Sequence, residues 1–475
     1  MPLSISLNIH REHSRFLSEY QPTPTERRTS LPVSHPTASF WLNSSPDANP
    51  LATQGSTGLL TSDADVVIIG SGITGVFAAY HLAKSFQDER SSKKIVVLEA
   101  RDFCSGATGR NGGHLTEHLI FWFDPGVPTA TALRECELEH HTVSNVARLV
   151  RQHPDWADDI DYVEGSRFVL FFSPEEEQDG RQRFEAARAA GLDLSEVKWF
   201  TCGEMMQTHS INYPAIRLPA RNLWPLKLVT KVFELASSCS GSNITLHTHT
   251  PATKVVQNGR GWTVHTPRGA IKTAYVIHAT NGYAGHLLPG LTGPEGVIPV
   301  RGQVVATRAS QLVAARESYA GNHGFEYWFP RPIKERGELP LIILGGGRET
   351  QGQFETYQTD DAHLNDKVGA VLRKFLPSLS PEIFERGKQP EMEWTGIMGF
   401  TQSGAPFVGP VLERNSRQSA VLNGQYICAG YTGHGMPRAY ACAEAVAGMI
   451  VADMRSERWQ QPSWLPDNYL TYNRT

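Results

Sequence analysis

Residues 63–86, DADVVIIGSGITGVFAAYHLAKSF, constrain the fold of this chain more than any other stretch. VVII is a continuously apolar run of the kind shown by a strand buried on both faces, and the residues after it repeat apolar side chains at helical spacing. KIVVLE, residues 94–99, reads as a second strand, so the whole forms a strand, helix, strand unit. Gly70, Ser71, Gly72, Ile73, Thr74 and Gly75 fit the spacing GxGxxG at the turn from strand to helix. A bare match to that pattern says little, but this position gives each glycine a task. The first allows the tight turn, the second lets a pyrophosphate approach the backbone, and the third lets helix and strand pack closely. The phosphates then face the positive end of the helix. Glu99 closes the second strand, where a carboxylate accepts hydrogen bonds from both hydroxyls of an adenosine ribose and repels a phosphorylated one. A dinucleotide without a 2′-phosphate is the expected occupant, and NADP is disfavoured. A purely structural turn would not require the three glycines and the acid together.

At 475 residues the chain exceeds what one hydrophobic core organises, so two domains are expected. The charged residues are well mixed and sum to −4, which gives no electrostatic reason to expect nucleic acid or an anionic membrane as partner. Cys104, Cys136, Cys202, Cys239, Cys428 and Cys442 are scattered without a CxxC pair or zinc-ligand spacing; they read as reduced, mostly buried thiols, and no metal is expected. Residues 1–62 are rich in Ser, Thr, Pro and Asn and lack apolar periodicity, so an irregular N-terminal arm is expected, with Phe40, Trp41 and Leu42 docking it on the surface. No secretory signal or membrane-length apolar run is visible, which makes the cytoplasm the expected location.

Further helices are expected over residues 131–153, whose histidines and carboxylates either line a pocket or, the favoured reading, form a solvated face, and in EEEQDGRQRFEAARAAG, WPLKLVTKVFELASSC and DDAHLNDKVGAVLRKFLP. Strands are expected in DYVEGSRFVLFFS, from ITLHTHT to TAYVIHAT, and in IPVRGQVVATR, FEYWFPRP and LPLIILGGG. Near the other end, QYICAG enters HGMPRAYACAEAVAGMI and repeats the strand, glycine turn, helix logic of the start. A cofactor domain assembled from both ends of the chain, with a second domain inserted between, follows from that repetition.

The loop after Glu99 separates FAD from NAD. EARDFCSGATGRNGGH, residues 99–114, supplies small residues followed by Arg110, Asn111, Gly112 and Gly113, which offer backbone donors and one fixed cation to an anionic diphosphate. This run resembles the family of FAD-dependent amine and amino-acid oxidoreductases that includes glycine oxidase, sarcosine oxidase and D-amino-acid oxidase, and the loop is most similar to that of gamma-glutamylputrescine oxidase. The resemblance implies FAD as cofactor, its ribityl and pyrophosphate portion held by Ala100, Arg101, Ser105, Thr108, Gly109, Arg110, Asn111, Gly112 and Gly113. It extends more weakly over residues 64–452. Val255 in TKVV stands where a backbone meets the adenine, and Thr280 and Asn281 form a second loop against the cofactor. Gly430, Gly433, His434, Gly435 and Met436 resemble the last flavin loop, where a helix start stabilises the negative charge of the reduced ring. Members with covalent flavin carry a cysteine just before the segment matching TQSGAPFVGP; Trp394, Ile397 and Met398 occupy that neighbourhood here, which implies noncovalent FAD.

The fold implied is α/β, a doubly wound, Rossmann-like FAD-binding domain (63–160, 200–295 and 395–455) with an inserted substrate domain on a large mixed β-sheet (161–199 and 296–394) and a C-terminal tail (456–475). The reaction implied is oxidation of a carbon–nitrogen bond in a small amine or amino acid, with hydride transfer to flavin and reoxidation by dioxygen, chemistry that the cofactor carries. Tyr327 and Arg331 in EYWFPRP resemble the tyrosine and arginine region facing substrate, where an arginine holds a carboxylate bidentately; a surface position before Pro332 is the alternative for Arg331. His114 and His434 either face the ring or serve as structural hydrogen-bonders, and Arg301 is expected near flavin or substrate. No second GxGxxG follows a strand, which argues against a built-in NADPH site. Two alternatives stay open: a flavin dehydrogenase or oxidase acting on another bond in a biosynthetic pathway, and a flavin-binding protein without catalysis.

Overall fold

The computed structural model describes residues 16–17, 19–26, 29–88, 92–240, 242–415 and 418–474. Two eight-stranded sheets organise them. The first is centred on β1 (Asp63–Ile69), which runs parallel to β2 (Lys93–Leu98), with helix α1 (Ile73–Asp88) as the crossover. Gly269–His278 flanks β1 on its other side, Gln418–Ala429 lies beyond it and Ser242–His247 lies beyond β2, all in parallel. The two distant ends of the chain therefore share one sheet. The continuous apolar run of β1 has a direct cause. Val66 and Ile68, with Ile95 and Val97 of β2, join the core that includes α1 and the helices Pro225–Ser238 and Ala439–Met454. Val67, Ile69, Val96 and Leu98 point the other way and pack with Trp262 and Val264 of a β-hairpin. Each such side chain contributes about 1.5–3 kcal/mol on burial.

The second sheet is mixed. Its strands run in the order 392–400, 298–308, 341–345, 326–330, 317–321, 163–170, 215–222, 198–200. The pair 317–321 and 163–170 is parallel, and the other neighbours are antiparallel. These memberships depart from the boundaries drawn on sequence. Ala215–Asn222 lies inside the segment 200–295 yet pairs with Val163–Leu170, from Ala215 opposite Leu170 to Asn222 opposite Val163. Its alternating burial is that of a half-covered antiparallel strand, masked in the sequence by Pro219 and two arginines.

Trp41 is fully buried, so the arm is part of the core rather than a surface attachment. Its Nε1–H donates to the Asn111 carbonyl at 2.6 Å, and its own carbonyl accepts from Trp224 Nε1 at 3.0 Å. At the other end, Tyr469 and Leu470 are fully buried and Leu470 bridges to Val408, which ties the C-terminal segment to the first sheet. All six cysteines are free, four of them buried. Among the described residues, no helix is long and apolar enough to cross a membrane.

Two core histidines give the fold a pH dependence. His278 is fully buried at the end of its strand with Nε2 2.7 Å from Gln425 Oε1, and burial pushes it down to about 4 against the opposing effect of that bond. Burial likewise pushes His81, beneath Tyr440, down to about 4. Below the ordinary histidine pKa the unfolded chain binds protons that the folded chain refuses. Stability is therefore present at neutral pH and is lost as pH falls from 6.5 towards 4. Urea unfolding is expected to lose up to about 1.4 kcal/mol per pH unit for each histidine, and His278→Gln to remove its share of the slope. An unfolding free energy unchanged across that window would refute this account.

Candidate active site

The turn after β1 is built by exclusion. Gly70 has φ +110°, and a Cβ on it would lie 2.6 Å from the Ala279 carbonyl oxygen. A Cβ on Gly75 would lie 1.9 Å from the Gly70 carbonyl oxygen, so no larger residue closes this turn. Glu99 reaches back to it: Oε2 accepts from the Ser71 N–H and hydroxyl at 3.1 and 2.7 Å, and Oε1 accepts from the Arg101 N–H at 3.0 Å. The Ile73 N–H donates to Thr108 Oγ1 at 3.1 Å, joining the turn to the following loop.

A cavity of about 510 Å³ runs from this turn into the space beside the mixed sheet, a size within the usual range for ligand pockets. At its near end it is lined by Gly70, Gly72, Ile73, Thr74, Glu99 and Ala100, together with Thr280 and Asn281. Ser71 and Gly75 stand behind that wall, as parts of the turn. Thr280 Oγ1 is buried with no hydrogen-bond partner and faces the cavity, and His286 Nε2 beside it is likewise unpartnered. Buried polar atoms left open on a glycine-built cradle that ends in a carboxylate fit the diphosphate and ribose of a dinucleotide. Val255 is not in the wall, since it lies within the hairpin strand Lys254–Asn258; Ala252, three residues earlier, lines the cavity.

The loop arginines do other work than expected. Arg101 binds Asp361 bidentately at 2.9 and 3.1 Å and donates to the carbonyls of Val33 and Ser105. Burial alone would lower Arg101, but Asp361 outweighs it and raises the group. Arg110 donates to the carbonyls of Ser105, Thr37 and Thr395 at 2.8, 2.7 and 3.0 Å, and burial pulls it down to about 10 while Asp361 opposes. Both line the cavity, and most of their donors are taken by the N-terminal arm, Ser105, Asp361 and Thr395, with Arg101 Nε left unpartnered. Ser105, Gly109 and Gly113 are structural here: Gly109 packs under Leu42, and Gly113 under Leu223 and Phe329. The clasped arm adds Leu31 and Pro32 to the cavity wall.

Deeper in, the cavity meets His114, Asn111, Gly112, Tyr327 and the loop holding Gly433, His434, Gly435 and Met436, with Ile397 and Met398 of the mixed sheet. The Tyr327 ring is wedged between two glycines, since a Cβ on Gly112 would lie 2.3 Å from a ring carbon and one on Gly345 2.4 Å from the hydroxyl. His114 Nδ1–H donates to the Gly112 carbonyl at 2.9 Å, its ring stands edge-on to Tyr327 and Phe329, and Nε2 makes no hydrogen bond. Burial, aided by Arg167, pushes His114 down to about 3, so it is a neutral acceptor. Gly430 lies outside the wall; its φ is +86° and its N–H donates to Asn281 Oδ1 at 3.0 Å. The helix following this loop begins at Ala439, later than expected, so the loop itself and not the first helical turn faces the cavity.

Arg331 and Arg301 are elsewhere. Arg331 pairs with Asp161 and stacks over Phe40 and Trp224, outside the cavity. Arg301 binds Glu355 at 2.6 Å and the Asp360 carbonyl, also outside. Conversely, the helix Thr129–Gln152 exposes Glu137 but buries its other two carboxylates, Glu135 and Glu139. Glu139 is fully buried, accepts the His118 N–H at 2.6 Å, and lies 3.0 Å from His434 Nε2 and 3.3 Å from Arg438 Nε. Burial alone would raise Glu139, but His434 and Arg438 outweigh it and lower the group. Arg438 sits 4.4 Å over the Trp122 ring and 3.6 Å from Glu135, which Tyr469 also holds. His118, Trp122, Arg167, Arg348 and Arg438 line the cavity and were not read from sequence. Their one visible signal is a charge placed on an apolar face, as with Arg167 inside SRFVLFF.

A doubly wound sheet, a glycine turn closed by a ribose acid, and a cavity continuing beneath a mixed sheet define a dinucleotide-dependent oxidoreductase. The family described as FAD dependent oxidoreductase (DAO) matches residues 65–449, and the chain belongs to it; its cofactor is FAD. A probable oxidoreductase OrdL from Rhizobium meliloti (strain 1021) is 25% identical over 397 residues, covering 82% of this chain and 83% of that one. Gamma-glutamylputrescine oxidoreductase from Escherichia coli (strain K12) is 26% identical over 437 residues, covering 86% and 88%. Among solved structures, glycine oxidase from Geobacillus kaustophilus has the same fold, with a TM-score of 0.62 at 20% identity over 86% of this chain and 99% of that one.

Two expectations follow for FAD binding. Glu99→Gln should weaken it by about 1.5–3 kcal/mol, the worth of hydrogen bonds to a charged group, as read by fluorescence titration of the stripped protein. Replacing Leu31 and Pro32 together by alanine should speed FAD release roughly tenfold through lost apolar cover, with the melting temperature of the stripped protein unchanged. Release at the wild-type rate would show that the arm is not part of the site.

Proposed function

We propose that the enzyme oxidises the carbon–nitrogen bond of a primary or secondary amine or an amino acid, with dioxygen as final electron acceptor. The observation that carries this reading is the single cavity linking the ribose acid Glu99 to a chamber walled by His114, Tyr327 and the loop at His434. Its supports are the family and a relative named for an amine substrate, gamma-glutamylputrescine oxidoreductase. FAD, when bound, supplies the two-electron acceptor. The chain's own contribution is to bind, orient and dry the reactants. Hydride leaves the carbon beside a neutral amine, the resulting imine takes up water, and the electrons reduce dioxygen to hydrogen peroxide. Nothing in that sequence demands a strong base. His114 is neutral and adds no charge to the chamber, and Tyr327 offers a hydroxyl from a ring that its glycines hold in place.

In this reading the parallel sheet is the FAD platform and the mixed sheet the substrate platform. FAD is held noncovalently, since none of the six cysteines lines the cavity. Six free thiols also fit a reducing compartment, and we assign the enzyme to the cytoplasm on that basis.

The test is an anaerobic panel of amines and amino acids added to the yellow holoprotein. At least one should bleach the flavin, with peroxide formed when air is readmitted. Indifference to every compound would sink the proposal, and bleaching without peroxide would move the acceptor from dioxygen to another carrier.

A further inference from the structure

We infer that Arg167 binds a carboxylate of the substrate, so that the substrate is an amine bearing a free carboxylate, an amino acid or N-substituted amino acid, and not a carboxylate-free polyamine. The inference rests on the amine-oxidising reading above and names the substrate class within it.

Arg167 projects from the mixed-sheet strand Val163–Leu170 and lines the cavity. Its Nε is shut off from solvent without a hydrogen bond, and among the described residues its guanidinium makes no ion pair or hydrogen bond at all. The other lining arginines are differently placed. Arg101 is bound to Asp361, Arg110 to three carbonyls, and Arg438 to Glu139 and Glu135. Arg348 lies over the Phe325 and Phe400 rings with Glu349 and Glu326 nearby. The carboxylate whose charge reaches Arg167, Glu139, is already taken by His434, Arg438 and the His118 N–H. A half-buried cation whose Nε is closed off and which has no partner is poorly compensated, and an anion arriving from outside offsets that cost.

The location and wall chemistry identify that anion. Arg167 acts on His114 and His118, on the mixed-sheet side, whereas the phosphate-binding turn Gly70–Gly75 belongs to the parallel sheet. Among the described residues, the only carboxylate lining the cavity is Glu99, at the ribose end. A polycationic amine entering the chamber would meet Arg167 and no acid. A carboxylate would meet a planar fork suited to bidentate pairing. Burial pulls Arg167 down to about 10, with Glu139 opposing, so it carries its charge at neutral pH. Arg331, the residue that resemblance placed in this role, is removed from it by Asp161.

The experiment titrates holoenzyme with propionate and with propionamide, following the visible spectrum of the flavin, in the wild type, Arg167→Lys and Arg167→Gln, each checked for an unchanged melting temperature. Propionate should perturb the wild-type spectrum saturably and propionamide should not. Arg167→Gln should bind propionate about 100-fold more weakly, with Arg167→Lys between, as for loss of one partner of a buried charge pair. With an amino-acid substrate, the same variants should raise KM more than they lower kcat. Equal propionate binding by wild type and Arg167→Gln would overturn the inference, as would a wild type blind to propionate. The two readings fail separately. Arg167-dependent propionate binding without bleaching by any amino acid would leave the anchor and remove the oxidation reading. Bleaching by a carboxylate-free polyamine as fast as by any amino acid would do the reverse.

Discussion

The buried pairing of Arg101 with Asp361, with Arg110 beside it, is the joint on which the rest of the structure depends. Asp361 is fully buried, and the two guanidiniums between them reach the cofactor loop at Ser105, the N-terminal arm at Val33 and Thr37, and the mixed sheet at Thr395. Thr37 reinforces the joint by accepting the Thr395 N–H at 2.9 Å. Such a cluster adds little net stability, because desolvating the charges costs about as much as their attraction returns, but removing one member costs about 3–5 kcal/mol. Its effect here is geometric. Three segments distant in sequence meet at one fixed relation around the middle of the cofactor cavity.

A second buried network shapes the far end. Glu139 stands behind the loop at His434, neutralises Arg438, and fixes the His118 backbone, all from a helix that contributes no cavity surface at Glu139 itself. The carboxylate remains ionised because three partners converge on it. The result is a chamber whose histidines 114 and 118 are held neutral by burial while Arg167 remains charged. The wall there thus carries one cation beside two uncharged imidazoles.

How much of this was legible in the sequence follows from the range of the interactions. The turn at Gly70–Gly75 and the acid Glu99 are local: sterics within a few residues dictate them, so spacing alone reveals them. The burial of both faces of β1 is legible for the same reason, as an unbroken apolar run. Trp41 was legible as an anchor but not as core, because its partners Asn111 and Trp224 are far along the chain. Arg110 was read as a phosphate cation because its true acceptors, Thr37 and Thr395, belong to no local pattern. That Ala252 and not Val255 lines the cavity reflects where the hairpin starts, which a strand pattern does not specify. Glu135 and Glu139 did leave a trace. They share a helical face with Leu138, Thr142 and Val146, all buried, and a carboxylate on that stripe signals a buried partner.

The two sheets also differ in what they permit to change. In the parallel sheet the cavity is bounded by backbone and glycine, where an added Cβ at Gly75 or Gly70 collides with a carbonyl oxygen, so substitution there destroys the turn before it alters any preference. In the mixed sheet four of the eight strands send side chains to the chamber, among them Arg167 from 163–170, Val304 from 298–308, Tyr327 from 326–330 and Met398 from 392–400. The backbone ladder holds those strands whatever the side chains are, so one residue can be exchanged without disturbing its neighbours' positions. The identity of the substrate is consequently a property of a few side chains on separate strands, and a single uncompensated charge among them outweighs the rest in deciding what enters.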